Sequence, residues 1–461
     1  MRTARLPLPR VFRLPRFGKL RNWGNLAAFR RDRLGLLIRL SETGADLVPF
    51  TVGPLAFVLV NTPALAHDVL VTQAEAFEKG DALRLNAGRV FGNGLVTSLN
   101  AFHKRQRKLV APAFSHRRVG GYADVMADYA ERLQRTWADG ATIDVAREMH
   151  RLTLWIVGKT LFDADLLGEA AELGAVMETM QRGFNARSGR LLPRQLPWIA
   201  AQERRSEAAA ARLDATIYRL IAERRASGDD RGDLLSMLLA ARDADDGSFM
   251  TDQQVRDEAI TLFLAGHETT ATALAWTWSL LTQHPDVYAK LRDEVTTALG
   301  GRTPTYSDLA SLPYTGRVLK EAMRLYAPVP MVVRQSSREV TVGGQSFPTG
   351  TRFVISPYTM HRLPAFFPDP QRFDPERFTS EAEAKLPRDA YLPFVDGPRN
   401  CIGNSFAMME GQIILATLAQ RVMFAPIPGH RTAPGVAITL FPRHGVQVQV
   451  THLSHIPGAV S

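Results

Sequence analysis

The feature that most constrains the fold is a long apolar stretch between Thr251 and His284. Thr251 and Gln254 form a capping box that predicts the start of a helix, and His284-Pro285 predicts its end. The span is about 33 residues, or about 50 Å at the helical rise per residue. Because its centre is largely apolar, we expect this helix to run through the core rather than over it.

The rest of the chain is also mainly helical in character, with a smaller β-rich part. The stretch 100–330 is rich in Ala, Leu, Arg and Glu, which favour helices. Short apolar runs punctuated by Gly and Pro predict strands at residues 48–60, 339–342, 351–356, 436–441 and 445–450. The sequence has neither a repeat of fixed period nor a low-complexity linker. We therefore predict a single mainly α domain with a small β region over residues 34–461.

The positive charge is concentrated in a basic arm at residues 1–33. This segment holds ten Lys or Arg and one acid, and so carries +9 of the net charge of +10. Such an arm can contact anionic lipid, nucleic acid or an acidic partner, or can be a solvated leader. Pro7, Pro9 and Pro15 argue against a transit peptide. No apolar run approaches the ~20 residues of a membrane span, and we predict a soluble protein without a transmembrane anchor.

Several common catalytic patterns are absent. A zinc-protease motif starting at His267-Glu268 would need a second histidine where Ala271 stands. The FGNG stretch at 91–94 lacks the third glycine of a dinucleotide-binding fingerprint. The sequence also has no P-loop and no GxSxG elbow. Nucleotide hydrolysis and serine-hydrolase chemistry therefore have no support.

Cys401 is the single cysteine of the chain and lies in the stretch FVDGPRNCIG, residues 394–403. One thiol cannot form an intramolecular disulfide, which favours a reducing, cytoplasmic setting. After it, apolar residues recur at the spacing of a helix, at Phe406, Met409, Ile413 and Ala416. We therefore expect Cys401 at a helix N-terminus, which favours the thiolate.

The neighbours of this cysteine indicate what it could bind. Gly397 and Gly403 would let the backbone approach something large and flat. Arg399 offers a planar fork to a carboxylate. A thiolate, a close backbone and a carboxylate binder together suggest a metal cofactor that carries acid groups, and heme fits this description. A buried, inert cysteine is the alternative reading.

Four sequence motifs resemble those of the cytochrome P-450 family. The first resembles its heme-binding signature and consists of Phe394, Gly397, Arg399, Cys401 and Gly403. Ala265-Gly266-x-Glu268-Thr269-Thr270 resembles the oxygen-activation motif of its long helix. Glu321-x-x-Arg324 and the segment 373–378 resemble two further motifs, and His103-x-x-x-Arg107 is a weaker match. The matches occur in the family's order.

This resemblance implies the cytochrome P-450 fold, with a long central helix over heme b and a cysteine-ligand loop before a proximal helix. Cys401 would be the axial iron ligand. Heme contacts are then expected from the following residues: Arg399, Arg107, His103, Arg334, Phe394, Gly403, Gly266 and Ala265. Glu268 and Thr269 would relay protons to dioxygen. The resemblance assigns Glu321, Arg324 and Arg377 to a buried charge network that fixes the cysteine loop.

The implied function is a heme-thiolate monooxygenase that inserts one oxygen atom from O2 into a hydrophobic organic substrate, such as a terpenoid, steroid, fatty acid or polyketide-like compound. Electrons would come from a ferredoxin and its reductase, and Lys104, Arg105 and Lys108 could help dock it. No nucleic-acid partner is predicted. By analogy, substrate contacts are expected from residues 77–99, 177–198, Leu262, Phe263, Ala265, residues 329–333 and 438–441. A peroxide-driven peroxygenase and a non-enzymatic heme sensor or carrier are the alternatives, and the acid–alcohol pair argues against both.

Overall fold

The computed structural model describes residues 19–163, 197–243 and 246–453, together with residues 176 and 179. Its contacts divide the chain into two compact units. The first takes the chain up to residue 85, then residues 330–370 and 386–401. The second takes the stretches that begin at residues 86, 371 and 402. Each unit is therefore assembled from separate parts of the sequence.

Sixteen α-helices occur in the described part of the chain. They are α1 (Lys19–Arg31), α2 (Arg33–Ser41), α3 (Pro63–His67), α4 (Asp81–Phe91), α5 (Asn100–Val110), α6 (His116–Gly120), α7 (Ala123–Gln134), α8 (Val145–Phe162), α9 (Pro197–Ser227), α10 (Leu234–Ala240), α11 (Asp252–Gln283), α12 (Pro285–Leu299), α13 (Pro313–Leu325), α14 (Pro357–Met360), α15 (Ser380–Glu383) and α16 (Asn404–Arg421).

Twelve short strands occur in the same part of the chain. They are β1 (Leu47–Val52), β2 (Leu55–Val60), β3 (Phe77–Lys79), β4 (Thr142–Asp144), β5 (Val332–Ser336), β6 (Val340–Val342), β7 (Gln345–Phe347), β8 (Arg352–Ile355), β9 (Val422–Pro426), β10 (Pro434–Val436), β11 (Leu440–Pro442) and β12 (Gln447–His452). The prediction of a mainly α fold with a small β region is confirmed.

The first unit is built on a five-stranded sheet of order β1-β2-β8-β5-β3. The β1–β2 hairpin is antiparallel, β2 pairs with β8 in parallel, and the remaining pairs are antiparallel. Leu59 and Val354 are buried in one apolar cluster of this unit. Of the predicted basic arm, residues 1–18 lie outside the described residues. Residues 19–31 form α1, whose Leu26 is buried in that cluster.

The second unit is organised around α11, which is 32 residues long. Thr251 caps it, Gln254 completes the capping box, and the helix ends before His284, so its predicted limits are confirmed. It packs against α8, α9, α13 and α16. Its burial explains this central place, because nearly every side chain from Val255 to Leu281 is buried.

Two small sheets complete the second unit, with strand orders β4-β12-β9 and β10-β11. The run 436–441, which we predicted as one strand, is instead the turn of the β10–β11 hairpin with its flanking residues. Thr439 lies in that turn and its carbonyl accepts a hydrogen bond from the amide of Ala437. None of the helices in the described ranges is both long and apolar enough to cross a membrane.

Candidate active site

The cysteine loop is fixed by its own backbone within the first unit. A single turn of 3-10 helix spans Gly397–Arg399. The amide of Cys401 donates to the carbonyl oxygen of Phe394 at 2.9 Å, and the amide of Asn400 donates to Gly397 at 3.0 Å. The thiol of Cys401 is exposed. It precedes Asn404, the first residue of α16, in agreement with the predicted position just before a helix.

The conformation of the loop itself requires glycine at position 397, in addition to the predicted approach to a cofactor, which stays a prediction. The φ of Gly397 is +78°, and a Cβ built on it would lie 2.0 Å from the carbonyl oxygen of Leu70. The glycine therefore lets the loop cross the Leu70 backbone. At Gly403 a Cβ would lie 3.7 Å from the ring of Phe114, an ordinary contact. Val395, with φ of +60°, adds left-handed backbone in a β-branched residue, a strained conformation often found at functional sites.

Two arginines lie close together in the first unit. The side chain of Arg399 is 8% exposed, and its Nη2 donates to Glu78 Oε2 at 3.3 Å. Arg334, on β5, is buried, and burial together with the charge of Arg399 lowers its pKa to about 10. Among the described residues Arg334 has no ion-pair partner. A buried guanidinium without a carboxylate favours an anionic ligand, so this pair fits a cofactor that carries propionates.

His103 and Arg107 belong to the second unit, where both lie on α5. They are four residues apart, so their side chains share one face of the helix. His103 is buried and Arg107 is half-buried.

The oxygen motif interrupts the buried face of α11. Between Val255 and Leu281 every residue is buried except four, which are half-buried. These four are Ala265, Gly266, Glu268 and Thr269. They are four of the five residues that the motif fixes, the fifth, Thr270, being buried, so the partly exposed part of this core helix coincides with the motif.

Glu268 and Thr269 have distinct hydrogen bonds. Burial raises the pKa of the Glu268 carboxyl, and the hydroxyl of Thr439 donates to its Oε1 at 2.5 Å. The hydroxyl of Thr269 donates back to the carbonyl oxygen of Ala265 at 2.6 Å. Since that proton is engaged, the lone pairs of Thr269 Oγ1 are left to accept a hydrogen bond from another group.

A side chain at position 266 would point toward α8. A Cβ there would lie 3.4 Å from Val157 Cγ2 on α8. That is an ordinary contact, so the packing of α11 on α8 does not by itself require glycine at this position. His267, which we predicted to be structural, is buried and its Nε2 donates to the carbonyl oxygen of His150 at 3.0 Å. Burial lowers the pKa of His267 to about 3, so the ring is neutral.

Glu321 and Arg324 form a fully buried ion pair on α13, with 2.6 Å between Oε2 and Nε. Arg377 Nε lies 3.5 Å from Glu321 Oε1, which also accepts the amide of Asp374 at 2.9 Å. The network therefore holds the segment around residues 372–377 to α13. Its described contacts in the second unit support the predicted structural role, while the predicted link to the cysteine loop stays a prediction.

Sequence reasoning missed Thr439 as the partner of Glu268. It lay within the range 438–441 that we expected to contact substrate, but nothing local linked it to an acid 171 positions away. The sequence analysis also did not predict that the carboxyl groups of Glu258 and Glu410 are buried. Most of the predicted substrate segment 177–198 lies outside the described residues.

Comparison with known proteins identifies the family. The family model of cytochrome P-450 matches residues 13–445. The cyclooctatin synthase of Streptomyces melanosporofaciens is 40% identical over 95% of this chain and 96% of its own length. Cyclooctat-9-en-7-ol 5-monooxygenase of the same organism is 36% identical over 88% of each chain. Pentalenene oxygenase of Streptomyces avermitilis is 33% identical over 93% of this chain and 95% of its own. The chain therefore belongs to the cytochrome P-450 family: it is a heme-thiolate monooxygenase that binds heme b and uses dioxygen, a hydrophobic substrate and ferredoxin-type electron donors.

Proposed function

We propose that this monooxygenase oxidises a terpenoid and that Glu268 and Thr269 handle the protons of the reaction. The observation that carries the proton role is the interruption in α11, where the motif residues alone are half-buried within an otherwise buried stretch. An acid and an alcohol at such a place border the space in which a small molecule can react.

Cys401 is the proposed iron ligand. Its thiol is exposed, and its backbone is held by the bond from its amide to Phe394. Heme, when bound, supplies the reductive activation of dioxygen, and a thiolate ligand favours cleavage of the O–O bond. The role of the chain at this point is to present the sulfur on a loop of fixed conformation.

The proposed propionate contacts are Arg399, Arg334, Arg107 and His103. Support is strongest for Arg334, a buried guanidinium that lacks a carboxylate among the described side chains. Arg399 adds a second, mostly buried positive charge beside it. Together the two charges would hold an acid group that neither could attract as strongly alone.

Proton supply is proposed to run through Glu268. Because burial raises its pKa, the carboxyl can hold a proton at a higher pH than an exposed glutamate. Thr439 occupies one carboxyl oxygen and so fixes the orientation of the group. Thr269, with its own proton donated to Ala265, would orient a reacting oxygen species that donates to Oγ1. A peroxygenase or a heme carrier has no use for this arrangement.

The proposed substrate is a terpenoid hydrocarbon or alcohol. Support comes from the names of the relatives, which act on cyclooctat-9-en-7-ol and on pentalenene. Apolar residues such as Leu262 and Phe263 precede the motif on α11. A cytoplasmic location is also proposed, which the single cysteine supports.

The test combines turnover with one pair of matched variants. Thr269→Ala should uncouple oxygen consumption from product with a terpenoid that the wild type oxidises, starting with pentalenene and cyclooctat-9-en-7-ol. Thr277→Ala is the control, because Thr277 is fully buried on the same helix and makes the same kind of bond, to Ala273 at 2.7 Å. Equal coupling in the Thr269 variant and the control would refute the proton role, and a wild type that oxidises fatty acids but no terpenoid would refute the substrate class.

A further inference from the structure

We propose that Glu258 is a positioning residue that holds the loop of residues 91–98 and helix α5 against α11, and thereby fixes one wall of the substrate pocket. The statement about the pocket rests on the proposed function and on the predicted substrate contacts at residues 77–99, a range that includes this loop. Glu258 lies on α11 outside the oxygen motif, and all the residues in this argument belong to the second unit.

The carboxyl of Glu258 joins three parts of the fold. It is fully buried. Its Oε2 accepts the backbone amide of Leu95 at 3.0 Å, and its Oε1 accepts Nε2 of Gln106 at 3.3 Å. Leu95 lies in the loop and Gln106 lies on α5, so one side chain anchors both elements to α11.

The preceding residue on α11, Asp257, holds the same loop two positions earlier, at Asn93. Asp257 Oδ2 accepts the amide of Asn93 at 2.8 Å. A Cβ at Gly92 would lie 2.1 Å from Asp257 Oδ1, and one at Gly94 would lie 2.2 Å from Thr261 Oγ1. Only glycine allows so close an approach. The stretch FGNG is therefore a contact surface for α11.

The two acids are not equivalent. Asp257 is paired with Arg256 at 2.8 Å. Glu258 has no ion-pair partner in the parts of the chain that the structure describes, and burial raises its pKa to about 7. Burying a carboxyl without a cation is unfavourable. What Glu258 contributes in return is the pairing of the buried Leu95 amide, a bond that an apolar residue cannot make.

The position of Glu258 connects this anchor to the catalytic groups. It precedes Glu268 by ten residues, about 15 Å along the helix. Gln106 is the direct neighbour of Arg107 on α5. One carboxyl thus links the helix that carries the acid–alcohol pair to the helix that carries two proposed propionate contacts. Releasing it should let the loop move away from α11.

The experiment compares Glu258→Leu with Glu258→Gln in the heme-loaded protein. Leucine has a similar size and makes neither bond. Glutamine at position 258 can still accept a hydrogen bond from the amide of Leu95. If the side-chain amide of Gln106 flips, glutamine can also donate to Gln106 Oε1, a buried atom without a described partner. Hydrogen exchange of a peptide covering residues 91–98 should rise about tenfold in the leucine variant and return to the wild-type rate in the glutamine variant.

Pocket geometry is read with two heme-binding probes, 4-phenylimidazole and imidazole. In the leucine variant the dissociation constant of 4-phenylimidazole, which fills the pocket, should rise about tenfold, while that of imidazole stays within about twofold. Unchanged loop exchange, or exchange that rises equally throughout the chain, would overturn the positioning role. If the binding of both probes weakens equally, or if the binding of neither weakens, the assignment to the pocket wall is overturned. Neither readout depends on Thr269 or on the identity of the substrate, so failure here is distinct from failure of the proposed function.

Discussion

Replacement of Glu410 by Gln should change how the stability of the protein depends on pH. Glu410 lies on α16 and is fully buried. Both of its carboxylate oxygens are buried, and the side chain of Thr270 on α11 lies beside the carboxyl. Burial raises the pKa of this carboxyl from its usual 4.5 to about 8, although the neighbouring Thr270 side chain acts to lower it. At neutral pH the folded protein therefore holds this group as the neutral acid.

The sign follows from the protons bound in each state. Between pH 4.5 and about 8 the unfolded chain has released this proton and the folded chain retains it. Stability contributed by this group is thus fully present below pH 4.5 and is lost as the pH rises, by about 1.4 kcal/mol per pH unit, until the folded group ionises. From pH 5.5 to 7.5 the wild type should lose about 2–3 kcal/mol through Glu410. The amide of the Gln variant cannot ionise, so this loss should disappear.

The assay is urea unfolding of the holoprotein followed by circular dichroism at several pH values from 5.5 to 8.5. The exposed residue Glu381 provides the control, since Glu381→Gln should leave the pH profile parallel to that of the wild type. The free energy of unfolding of Glu410→Gln, relative to that of the wild type, should increase as the pH rises. Profiles that stay parallel over this range would refute the view that Glu410 is buried as a neutral acid.

Three further substitutions test separate parts of the structure. Arg324→Ala should lower the free energy of unfolding by about 3–5 kcal/mol, because it strands the buried Glu321; a loss below about 1 kcal/mol in urea would contradict the network. Gly397→Ala should reduce the fraction of heme held by thiolate, because its Cβ meets Leu70 at 2.0 Å; a wild-type carbon monoxide spectrum would count against the required close approach. Arg334→Leu should speed the transfer of heme to apomyoglobin, and an unchanged transfer rate would remove Arg334 from the propionate contacts.

Local signals in the sequence predicted the parts of the fold that depend on neighbours in the chain. The limits of α11 followed from Thr251, Gln254 and the His284-Pro285 stop, all within a turn of the helix ends. The strand β5 was missed, because its five residues become a strand only by pairing with β8, which follows two other strands later, and with β3, which is far away in sequence. Short strands of this kind carry little periodicity of their own.

The site shows the same division between local and distant information. Cys401 and Arg399 lie in one motif, so spacing alone brought them together. Thr439 and Glu268 are joined by a bond across 171 positions, and Leu95 and Glu258 by one across 163. Contacts of that range depend on the packing of whole elements and leave no pattern in either segment.

The central claim is that Cys401 supplies the thiolate ligand of the heme. The most direct measurement is the spectrum of the ferrous carbon monoxide complex in the wild type and in Cys401→Ser, which exchanges one atom. The account predicts a thiolate-type band in the wild type and its loss in the variant, with heme still bound through the rest of the site. A thiolate-type band that survives the substitution, or that is missing from the wild type, would contradict the account.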